Sequence, residues 1–392
     1  MFLIDLTHTS HTRARTGIQK VSRALYQALE ATNGATPICH DPYRGGWRAL
    51  KSWEHANLSG ETPSAKGRGA RWPLHARVSG QVTRWLGAML PPLPAAQGLV
   101  VPEIFSPRVA ASLPALLSAV RGPRVALFHD AIALKLPELS PPGTVSRFPS
   151  YLQELLAFDG IAAVSEDSRD ALLDYWAWLG TKAAPPVQAI PLGIDDDAHI
   201  EAPAPCAGSE QLVVLSVGTL EARKNHVALL QACESLWRAG HRFELHLIGM
   251  AQALTGRSAV QRIRELQSAG YPIRYDGPVS DTALREAYRR ATFTVYPSLM
   301  EGFGLPVLES LRHGRPCICS NQGALGESAR GGGCLAIDQV DASGLAIAIG
   351  RLLESPPLRS ELATAAHNRP LKSWARYADD LTNWMKTLPA NQ

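Results

Sequence analysis

Short runs of apolar residues alternate along the chain with longer stretches in which apolar residues recur every three or four positions. The runs at residues 3–6, 124–128, 211–215 and 293–296 are typical of buried strands, whereas the stretches between them are typical of amphipathic helices. Glycines follow several of these runs, in Val-Gly, Ile-Gly and Asp-Gly pairs. This alternation predicts an α/β protein with parallel sheets, whose ligands bind beyond the carboxyl ends of the strands.

Two domains are predicted from the length and from one break in the pattern. The chain has 392 residues, 45% of them hydrophobic, which exceeds one ordinary domain and suffices for two cores. Residues 195–210 lose apolar periodicity and gain proline. We therefore place an N-terminal domain at residues 1–200 and a C-terminal domain at 201–370, followed by a terminal helix at 371–392.

Charge is distributed unevenly. Residues 1–128 hold 15 Lys and Arg against 6 Asp and Glu, a balance of +9, whereas the whole chain carries +4. Basic and apolar residues interleave at 66–86, and two interpretations of that segment stay open. It is either a basic amphipathic helix on an anionic membrane, or a helix with Trp72, Val78, Trp85 and Leu86 in the core. No nucleic-acid-binding motif accompanies the charge.

The cysteines and the N-terminus favour a cytoplasmic protein. Six cysteines spread over so long a chain, mostly in apolar segments, do not suggest a disulfide framework, so we expect reduced thiols. Cys317 and Cys319 alternate with Ile318, a spacing that suits core packing better than zinc. The first residues lack a basic region and a long apolar core, and no apolar run reaches membrane-spanning length.

The strongest candidate site is the stretch Glu301-Gly-Phe-Gly-Leu-Pro-Val-Leu-Glu309. Its glycines permit a tight turn, and Pro306 suits the start of a helix just after that turn. Backbone N–H groups and the positive end of the helix dipole would then bind a diphosphate, with Glu301 on the sugar and Glu309 on the ribose. Alternatively, the two acids are an ordinary pre-helix residue and a solvated helix residue. The backbone expected to hold the phosphates is that of Gly302, Phe303, Gly304 and Leu305.

A basic pair follows an earlier apolar run. After residues 211–215 come Gly218 and then Arg223 and Lys224, before a stretch with helical spacing. Arg223 offers a planar fork for bidentate phosphate contact, and Lys224 adds a point charge. The alternative is a solvated pair at a helix entrance.

Three segments together carry a family resemblance. Gly218-Thr-Leu-Glu-Ala-Arg-Lys-Asn225, Tyr275-Asp-Gly-Pro-Val-Ser-Asp281 and the Glu301 to Glu309 stretch resemble, in order, the donor-site motifs of family 4 glycosyltransferases. Phe128-His129-Asp130 resembles the histidine segment of their N-terminal domain. The resemblance implies the GT-B fold: two Rossmann-like domains facing a central cleft, with a C-terminal helix that crosses back to the N-terminal domain.

The resemblance also implies roles for further residues. Backbone near Pro278 and Val279 would meet the nucleotide base, and Gly218 and the loop bearing Gly17 would lie against the donor. His129 would contact the sugar near the reacting carbon, and Asp130 would orient it or an acceptor hydroxyl. Taken locally, Gly17 also fits a structural turn, and His129 fits a packed or solvated histidine.

The function implied is that of a retaining glycosyltransferase that moves a hexose from a nucleoside diphosphate sugar to a hydroxyl of a surface glycan or lipid-linked oligosaccharide. A GDP-mannose-type donor is favoured, and the enzyme is expected in the cytoplasm, either free or at the inner face of the plasma membrane, with no nucleic-acid partner. The alternatives are a sugar-nucleotide epimerase of the same fold and a non-catalytic sugar-nucleotide-binding protein.

No cofactor or metal is expected. Asp195, Asp196 and Asp197 resemble a metal motif, but the run matches the family's linker entry, so we interpret it as helix capping or solvated linker. Fixed cations and a helix dipole would stabilise the leaving diphosphate. We therefore expect a metal-independent enzyme whose donor is a co-substrate.

Overall fold

The strands of the computed structural model form two separate sheets, one in each of two compact units. The first unit comprises Met1–His129, Arg147–Asp195 and Lys372–Gln392, and the second comprises Asp130–Ser146 and Asp196–Leu371. The structure describes residues 1–14, 17–58, 69–194 and 211–389. Each unit is therefore considered by itself.

Seven strands form the sheet of the first unit, in the order β3-β2-β1-β4-β5-β6-β7. All neighbours pair in parallel except β2 and β3, which are antiparallel. The inner strands β1, β4 and β6 are buried along their whole length, as parallel strands covered on both faces are. The strands are β1 Phe2–Asp5, β2 Ala35–Asp41, β3 Gly46–Ala49, β4 Leu99–Val101, β5 Arg124–Phe128, β6 Gly160–Ala163 and β7 Val187–Ala189.

Six parallel strands form the sheet of the second unit, in the order β10-β9-β8-β11-β12-β13. Counted from its first strand, this is the 3-2-1-4-5-6 order of a Rossmann sheet. One core packs around β8, β9 and β11 and includes apolar residues of the flanking helices. The strands are β8 Leu212–Val217, β9 Phe243–Ile248, β10 Ile273–Asp276, β11 Phe293–Tyr296, β12 Cys317–Ser320 and β13 Cys334–Ile337.

Helices connect the strands in both units. Short 3-10 turns lie at Thr9–His11, Pro137–Leu139, Leu155–Ala157 and Ala222–Lys224. No helix among the described residues is long and apolar enough to cross a membrane. The α-helices are α1 Gly17–Asn33, α2 Ser52–His55, α3 Leu74–Trp85, α4 Pro107–Ala110, α5 Leu113–Ala119, α6 Ile132–Lys135, α7 Pro142–Glu154, α8 Glu166–Trp178, α9 His226–Arg238, α10 Arg257–Ser268, α11 Asp281–Arg290, α12 Leu305–Arg312, α13 Gly323–Ala329, α14 Ala342–Glu354, α15 Pro356–His367 and α16 Trp374–Met385.

The last helix, α16, belongs to the first unit although it follows the second along the chain. It packs against α1, and its Tyr377, Leu381 and Met385 are fully buried. It also covers β6, where a Cβ added to Gly160 would lie 2.8 Å from Trp384. The terminal helix thus returns to the N-terminal unit, as expected.

The predicted α/β class and the two Rossmann-like sheets are confirmed. One detail of the chain division differs, because residues 130–146 group with the second unit whereas the sequence placed them in the first domain. The expected boundary at 195–210 lies outside the described residues, together with Asp195, Asp196, Asp197 and Cys206. Described cysteines at 39, 233, 317, 319 and 334 are all free thiols.

Candidate functional site

The second sheet has a topological switch point between β8 and β11. From β8 the chain moves outward through β9 to β10, and it then returns to the other side of β8 to form β11. Loops that leave the carboxyl ends of two such strands diverge, which opens a ligand-binding crevice in sheets of this kind. The two loops here begin after Val217 and Tyr296.

The two loops bring together the acid and the basic pair that the sequence singled out. Arg223 Nη1 donates to Glu301 Oε2 over 2.8 Å and to the Met300 carbonyl over 3.0 Å. Lys224 Nζ donates to the other oxygen of the same carboxylate. Arg223 Nη2 also pairs with Glu221 Oε1 at 2.7 Å. Two cations and two carboxylates thus form one balanced cluster at the switch point.

The backbone around the basic pair is fixed by local hydrogen bonds. The 3-10 turn Ala222–Lys224 ends at Asn225, which adopts left-handed backbone geometry with φ 54°. Its side-chain amide donates to the Val340 carbonyl over 2.7 Å, and α9 then begins. The Leu299 N–H donates to the Arg223 carbonyl over 2.9 Å, which joins the loop after β8 to the loop after β11.

Mutual attraction opposes the effect of burial on the ionisation of this cluster. Burial raises the pKa of Glu301, but the charges of Lys224 and Arg223 outweigh it and lower that pKa to about 2. For Arg223, burial lowers the pKa, but the charges of Glu301, Glu221 and Asp130 outweigh burial. The pKa of Arg223 is therefore raised above its usual value. Burial also lowers the pKa of Lys224, and the charge of Glu301 opposes this effect. Removing any one partner would leave an uncompensated charge in a poorly solvated place.

His226 adds a neutral group beside these charges. It is 3% exposed, and burial and then the charge of Lys224 lower its pKa to about 4. Its Nδ1 atom is buried and has no hydrogen-bond partner among the described residues. No pattern in the sequence marked His226 as a site residue, although it directly follows the basic pair and an asparagine.

The turn before α12 forms where the sequence predicted it. Gly304 has φ 102°, a conformation that L side chains rarely adopt, and a Cβ there would lie 3.0 Å from Ser328 Oγ. That hydroxyl donates to the Phe303 carbonyl over 2.5 Å and holds the turn. α12 starts at Leu305, so its positive dipole end follows directly after Gly302 to Gly304.

Glu309 lies within α12 and belongs to a different contact group from Glu301. Tyr288 donates its hydroxyl proton to Glu309 Oε2 over 3.3 Å, and its oxygen is 2.9 Å from the hydroxyl of Tyr296. Both tyrosines are buried. The chain of hydroxyls ties Glu309 to the end of β11.

The loops after β8, β9 and β10 lie side by side at the same edge of the sheet. The Gly218 N–H donates to the Ile248 carbonyl over 2.9 Å, and a Cβ on Gly249 would lie 1.9 Å from the Gly218 oxygen. Only glycine fits at 249. Pro278 is exposed and Val279 half-buried in the loop after β10. These residues share the edge with the charged cluster.

The remaining predicted site residues lie at the start of a helix and at a strand end. Gly17 is the first residue of α1 in the first unit. His129 follows β5, is buried, and its Nε2 lies 2.7 Å from the Pro102 carbonyl. Asp130 accepts a hydrogen bond from the N–H of Ile132, the first residue of α6, over 3.0 Å. His129 is therefore anchored in its own unit by one ring nitrogen.

A pair of buried carboxyl groups lies at the switch point of the first sheet, where β1 and β4 are neighbours. Glu103 accepts hydrogen bonds from the backbone N–H groups of His8 and Thr9, both over 2.7 Å. Asp5 accepts bonds from the N–H and the hydroxyl of Thr7. Burial and then the charge of Asp5 raise the pKa of Glu103 to about 8. No local sequence pattern marked this pair, which fixes the loop after β1.

Helix α3 presents its large apolar side chains outward. Its buried residues are the small Ala76 and Gly80, and a Cβ on Gly80 would lie 2.7 Å from Tyr43. Trp85 is 85% exposed and Met89, just beyond the helix, is 91% exposed. We call this surface the α3 ridge; its exposed apolar residues are Leu74, Val78, Val82, Trp85, Leu86 and Met89.

Arginines accompany the α3 ridge, and the helix contains no acidic residue. Arg71, Arg77 and Arg84 are all exposed. The interpretation that placed Val78, Trp85 and Leu86 in the core is wrong, because the small face of the helix packs inward instead. Trp72, just before the helix, does pack inward, stacked on His11 at 3.8 Å. Lys66 and Arg68 lie outside the described residues.

The sequence matches one protein family and is similar to two named enzymes. Residues 203–369 match the family described as Glycosyl transferases group 1. The chain is 31% identical over 275 residues to O-antigen chain mannosyltransferase B of Escherichia coli, covering 67% of this chain and 70% of that protein. It is 27% identical over 333 residues to the serotype-specific mannosyltransferase WbdA of Escherichia coli, covering 81% of this chain. It spans only 38% of the length of WbdA.

Solved structures share the fold at low sequence identity. Sucrose-phosphate synthase from Thermosynechococcus elongatus superposes with a TM-score of 0.68 over 98% of each chain, at 17% identity. HepE of Anabaena, solved with UDP and glucose, gives a TM-score of 0.65 over 99% of each chain, at 14% identity. These likenesses concern the fold.

Proposed function

Because this chain belongs to the glycosyltransferases of group 1, we propose that it transfers a hexose from a nucleoside diphosphate sugar to a hydroxyl group of a surface glycan or lipid-linked oligosaccharide. The observation that carries the proposal is the cluster of Arg223, Lys224 and Glu301 at the switch point of the second sheet. Cations at that edge, next to the start of a helix, suit a diphosphate.

Arg223 and Lys224 bind the diphosphate in this proposal. Both cations are already mostly desolvated, because their carboxylate partners hold them at 22% and 13% side-chain exposure. Diphosphate binding therefore adds little further desolvation cost for them. The dipole of α12 adds about half an elementary charge at its start. As the sugar–phosphate bond breaks, these groups stabilise the negative charge on the departing diphosphate.

Glu301 changes partners when the donor binds. A diphosphate that accepts hydrogen bonds from Arg223 and Lys224 competes with the carboxylate that now accepts them. The displaced carboxylate then accepts hydrogen bonds from hydroxyl groups of the donor sugar. Glu309, tied to Tyr288 and in α12 beyond the turn, accepts those of the ribose.

We assign retention of configuration and independence from a metal to the same arrangement. The leaving diphosphate takes the proton of the acceptor hydroxyl on the face where the new bond forms. Arg223 and Lys224 neutralise the charge of the leaving diphosphate, so no divalent ion is needed. His129 contacts the sugar near the reacting carbon, and Asp130 orients the acceptor hydroxyl in this scheme.

A GDP-mannose-type donor is proposed from the relatives, two of which are named as mannosyltransferases. Those names also support an acceptor that belongs to a bacterial polysaccharide. The contacts proposed for the base involve backbone near Pro278 and Val279.

The α3 ridge is proposed to hold the enzyme at an anionic membrane surface, where a lipid-linked acceptor is presented. Outward Trp, Leu and Val side chains insert at the level of the headgroups, and the neighbouring arginines meet lipid phosphates. The charge of the ridge is complementary to that surface. Catalysis would then take place on the cytoplasmic face of the membrane.

Transfer of labelled sugar tests the function. The purified protein is incubated with GDP-, UDP-, dTDP- or ADP-sugars and with mannose-terminated oligosaccharides, and the products are identified by mass spectrometry. We expect a GDP-mannose-dependent gain of one hexose on the acceptor. Conversion of the donor to an isomer without an acceptor would instead indicate an epimerase, and binding without turnover would indicate a sugar-nucleotide-binding protein.

A further inference from the structure

Three cysteines meet on one face of the second sheet. Cys317 and Cys319 lie two residues apart on β12, so their side chains point to the same face. Cys334 opens the neighbouring strand β13, directly opposite Cys317 in the register. The three sulfur atoms all lie within 4.8 Å of one another. We propose that Cys317, Cys319 and Cys334 bind one Zn(II) ion.

The spacing of the sulfurs suits a single ion. Zinc–sulfur bonds of about 2.3 Å at tetrahedral angles place the sulfurs about 3.8 Å apart. Small side-chain rotations therefore bring all three onto one ion. Among the described residues no histidine or carboxylate joins the group, so the fourth position is left to a water molecule or a small anion. Cys334 is partly exposed, which gives that position a route to solvent.

Zinc binding would leave one net negative charge on the cluster. Binding exchanges three thiol protons, released to solvent, for one Zn(II), and the resulting group carries one negative charge. A buried charge of this kind needs a partner. Arg369 is the nearby cation: its Nη1 donates to the Gly332 carbonyl over 3.3 Å, two residues before Cys334.

The ion would connect the edge of the sheet to its interior. β13 is the last strand of the sheet, and the three glycines before it, Gly331, Gly332 and Gly333, all have positive φ. Because glycines are especially flexible in the unfolded chain, ordering this segment and the edge strand after it costs conformational entropy. A sulfur–zinc–sulfur link from β13 to β12 lowers that cost.

A second cluster with suitable residue types does not carry the same proposal. His11, Cys39 and Glu54 also lie close together in the first unit. There, however, Arg48 donates to both oxygens of Glu54 over 2.6 and 2.7 Å, and His11 Nε2 is 2.9 Å from the same carboxylate. A guanidinium already neutralises that carboxylate.

Zinc titration of the reduced, full-length protein tests the proposal. Zn(II) is added in competition with a chromophoric chelator, and Co(II) is used separately because its sulfur-to-metal charge-transfer absorption grows with the number of thiolate ligands. We expect one ion per chain and a Co(II) spectrum typical of three thiolates. Cys319→Ser and Cys334→Ser should each weaken Zn(II) binding by more than about a hundredfold. Such a loss exceeds that expected when only a group that hydrogen-bonds to a metal ligand is removed.

Cys233→Ser is the matched control, because Cys233 is a buried free thiol of the same unit outside the cluster. It should bind Zn(II) like the wild type. A further measurement needs no variant: Zn(II) should slow the alkylation of Cys334 in the wild-type protein. Failure to bind one equivalent, a spectrum without thiolate bands, or unchanged binding by both serine variants would overturn the proposal. None of these measurements depends on sugar transfer.

Discussion

The Glu301 carboxylate accepts a hydrogen bond from the Arg223 guanidinium over 2.8 Å, although 78 residues separate the two along the chain. This pair joins the loops after two neighbouring strands. It also gives Glu301 two roles in the proposed reaction, as the partner of the phosphate-binding cations and as a ligand of the sugar.

Removal of either cation should slow turnover. Arg223→Ala and Lys224→Ala each lose a charge-assisted hydrogen bond to the diphosphate, worth about 1.5–3 kcal/mol. We expect kcat/KM to fall by about tenfold to a hundredfold. Steady-state kinetics with the best donor measure this. Arg289→Ala, in an exposed pair with Glu286, is the control; full activity of the Arg223 or Lys224 variant would remove that residue from the diphosphate.

Chelation of divalent ions should leave turnover intact, because protein groups neutralise the leaving diphosphate in the proposed mechanism. We expect the same kcat/KM in excess EDTA and in buffer. The proposed zinc site lies outside the reacting groups, so its loss is compatible with this result. Inactivation by EDTA that is reversed by Mg²⁺ or Mn²⁺ would contradict the mechanism and direct attention to Asp195 and Asp197.

Glu301 should contribute stability that disappears in acid. Its pKa is lowered from 4.5 to about 2 in the folded protein, so the contribution is present above about pH 4.5 and is lost as the pH falls toward 2. Glu301→Gln should reduce the free energy of unfolding at pH 7 by about 3–5 kcal/mol, because Lys224 loses its carboxylate partner and Arg223 keeps only Glu221. Urea unfolding measures this quantity at each pH.

The gap between wild type and Glu301→Gln should narrow as the pH falls through that window. Glu286→Gln, which alters an exposed carboxylate, should cost far less at every pH. A Glu301→Gln protein as stable as the wild type at pH 7 would show that the ion pairs do not hold the two loops together.

The buried pair of Asp5 and Glu103 should make the protein less stable as the pH rises, which is opposite to the effect of Glu301. The pKa of Glu103 is raised from 4.5 to about 8, so the free energy of unfolding falls as the pH rises through this range. Asp5→Asn keeps an oxygen acceptor for Thr7 and removes the charge that raises this pKa. Across pH 6–8 the variant should therefore lose less stability than the wild type. Parallel stability curves would contradict the coupling.

Membrane binding should depend on the α3 ridge and on salt. Each basic residue near an anionic bilayer contributes about 1 kcal/mol, and salt screens this attraction. Wild-type protein should float with anionic liposomes at low ionic strength, whereas Arg71→Glu, Arg77→Glu and Arg84→Glu combined should not. Trp85→Ser should weaken flotation without changing charge.

Two comparisons separate the membrane proposal from general effects of charge. Arg289→Glu changes another exposed arginine, in the second unit, and should float like the wild type. Nucleotide-sugar affinity should be unchanged in the α3 variants. Wild-type protein that stays unbound at low salt, or a triple variant that floats equally well, would make the ridge a surface for something other than lipid.

The strands and the main turn followed from local patterns. Buried parallel strands appear as nearly continuous apolar runs, so residues 124–128 and 293–296 were identifiable as β5 and β11. The left-handed turn at Gly304 leaves a local signal because few other residues adopt that conformation. α12 accordingly begins at the predicted position.

Contacts between distant residues left no such signal. Glu221 looked like one more charged residue, yet it pairs with Arg223 in the folded cluster. Cys334 joins Cys317 only through the register of β12 and β13. Helix α3 has an apolar pattern that suits a core as well as a surface, and the small Ala76 and Gly80 decide which face packs inward. These outcomes depend on tertiary packing.

The return of α16 to the first unit has a consequence for dissecting the molecule. The first unit is built from three chain segments and the second from two, so no single cut yields two intact halves. A fragment that stops before Lys372 would leave bare the apolar surface that Tyr377, Leu381 and Met385 cover. Such a fragment should aggregate when expressed alone, and adding residues 372–389 back as a separate peptide should restore its solubility. Because the second unit comprises two chain segments, exchanging it between related enzymes requires four junctions, two for each segment.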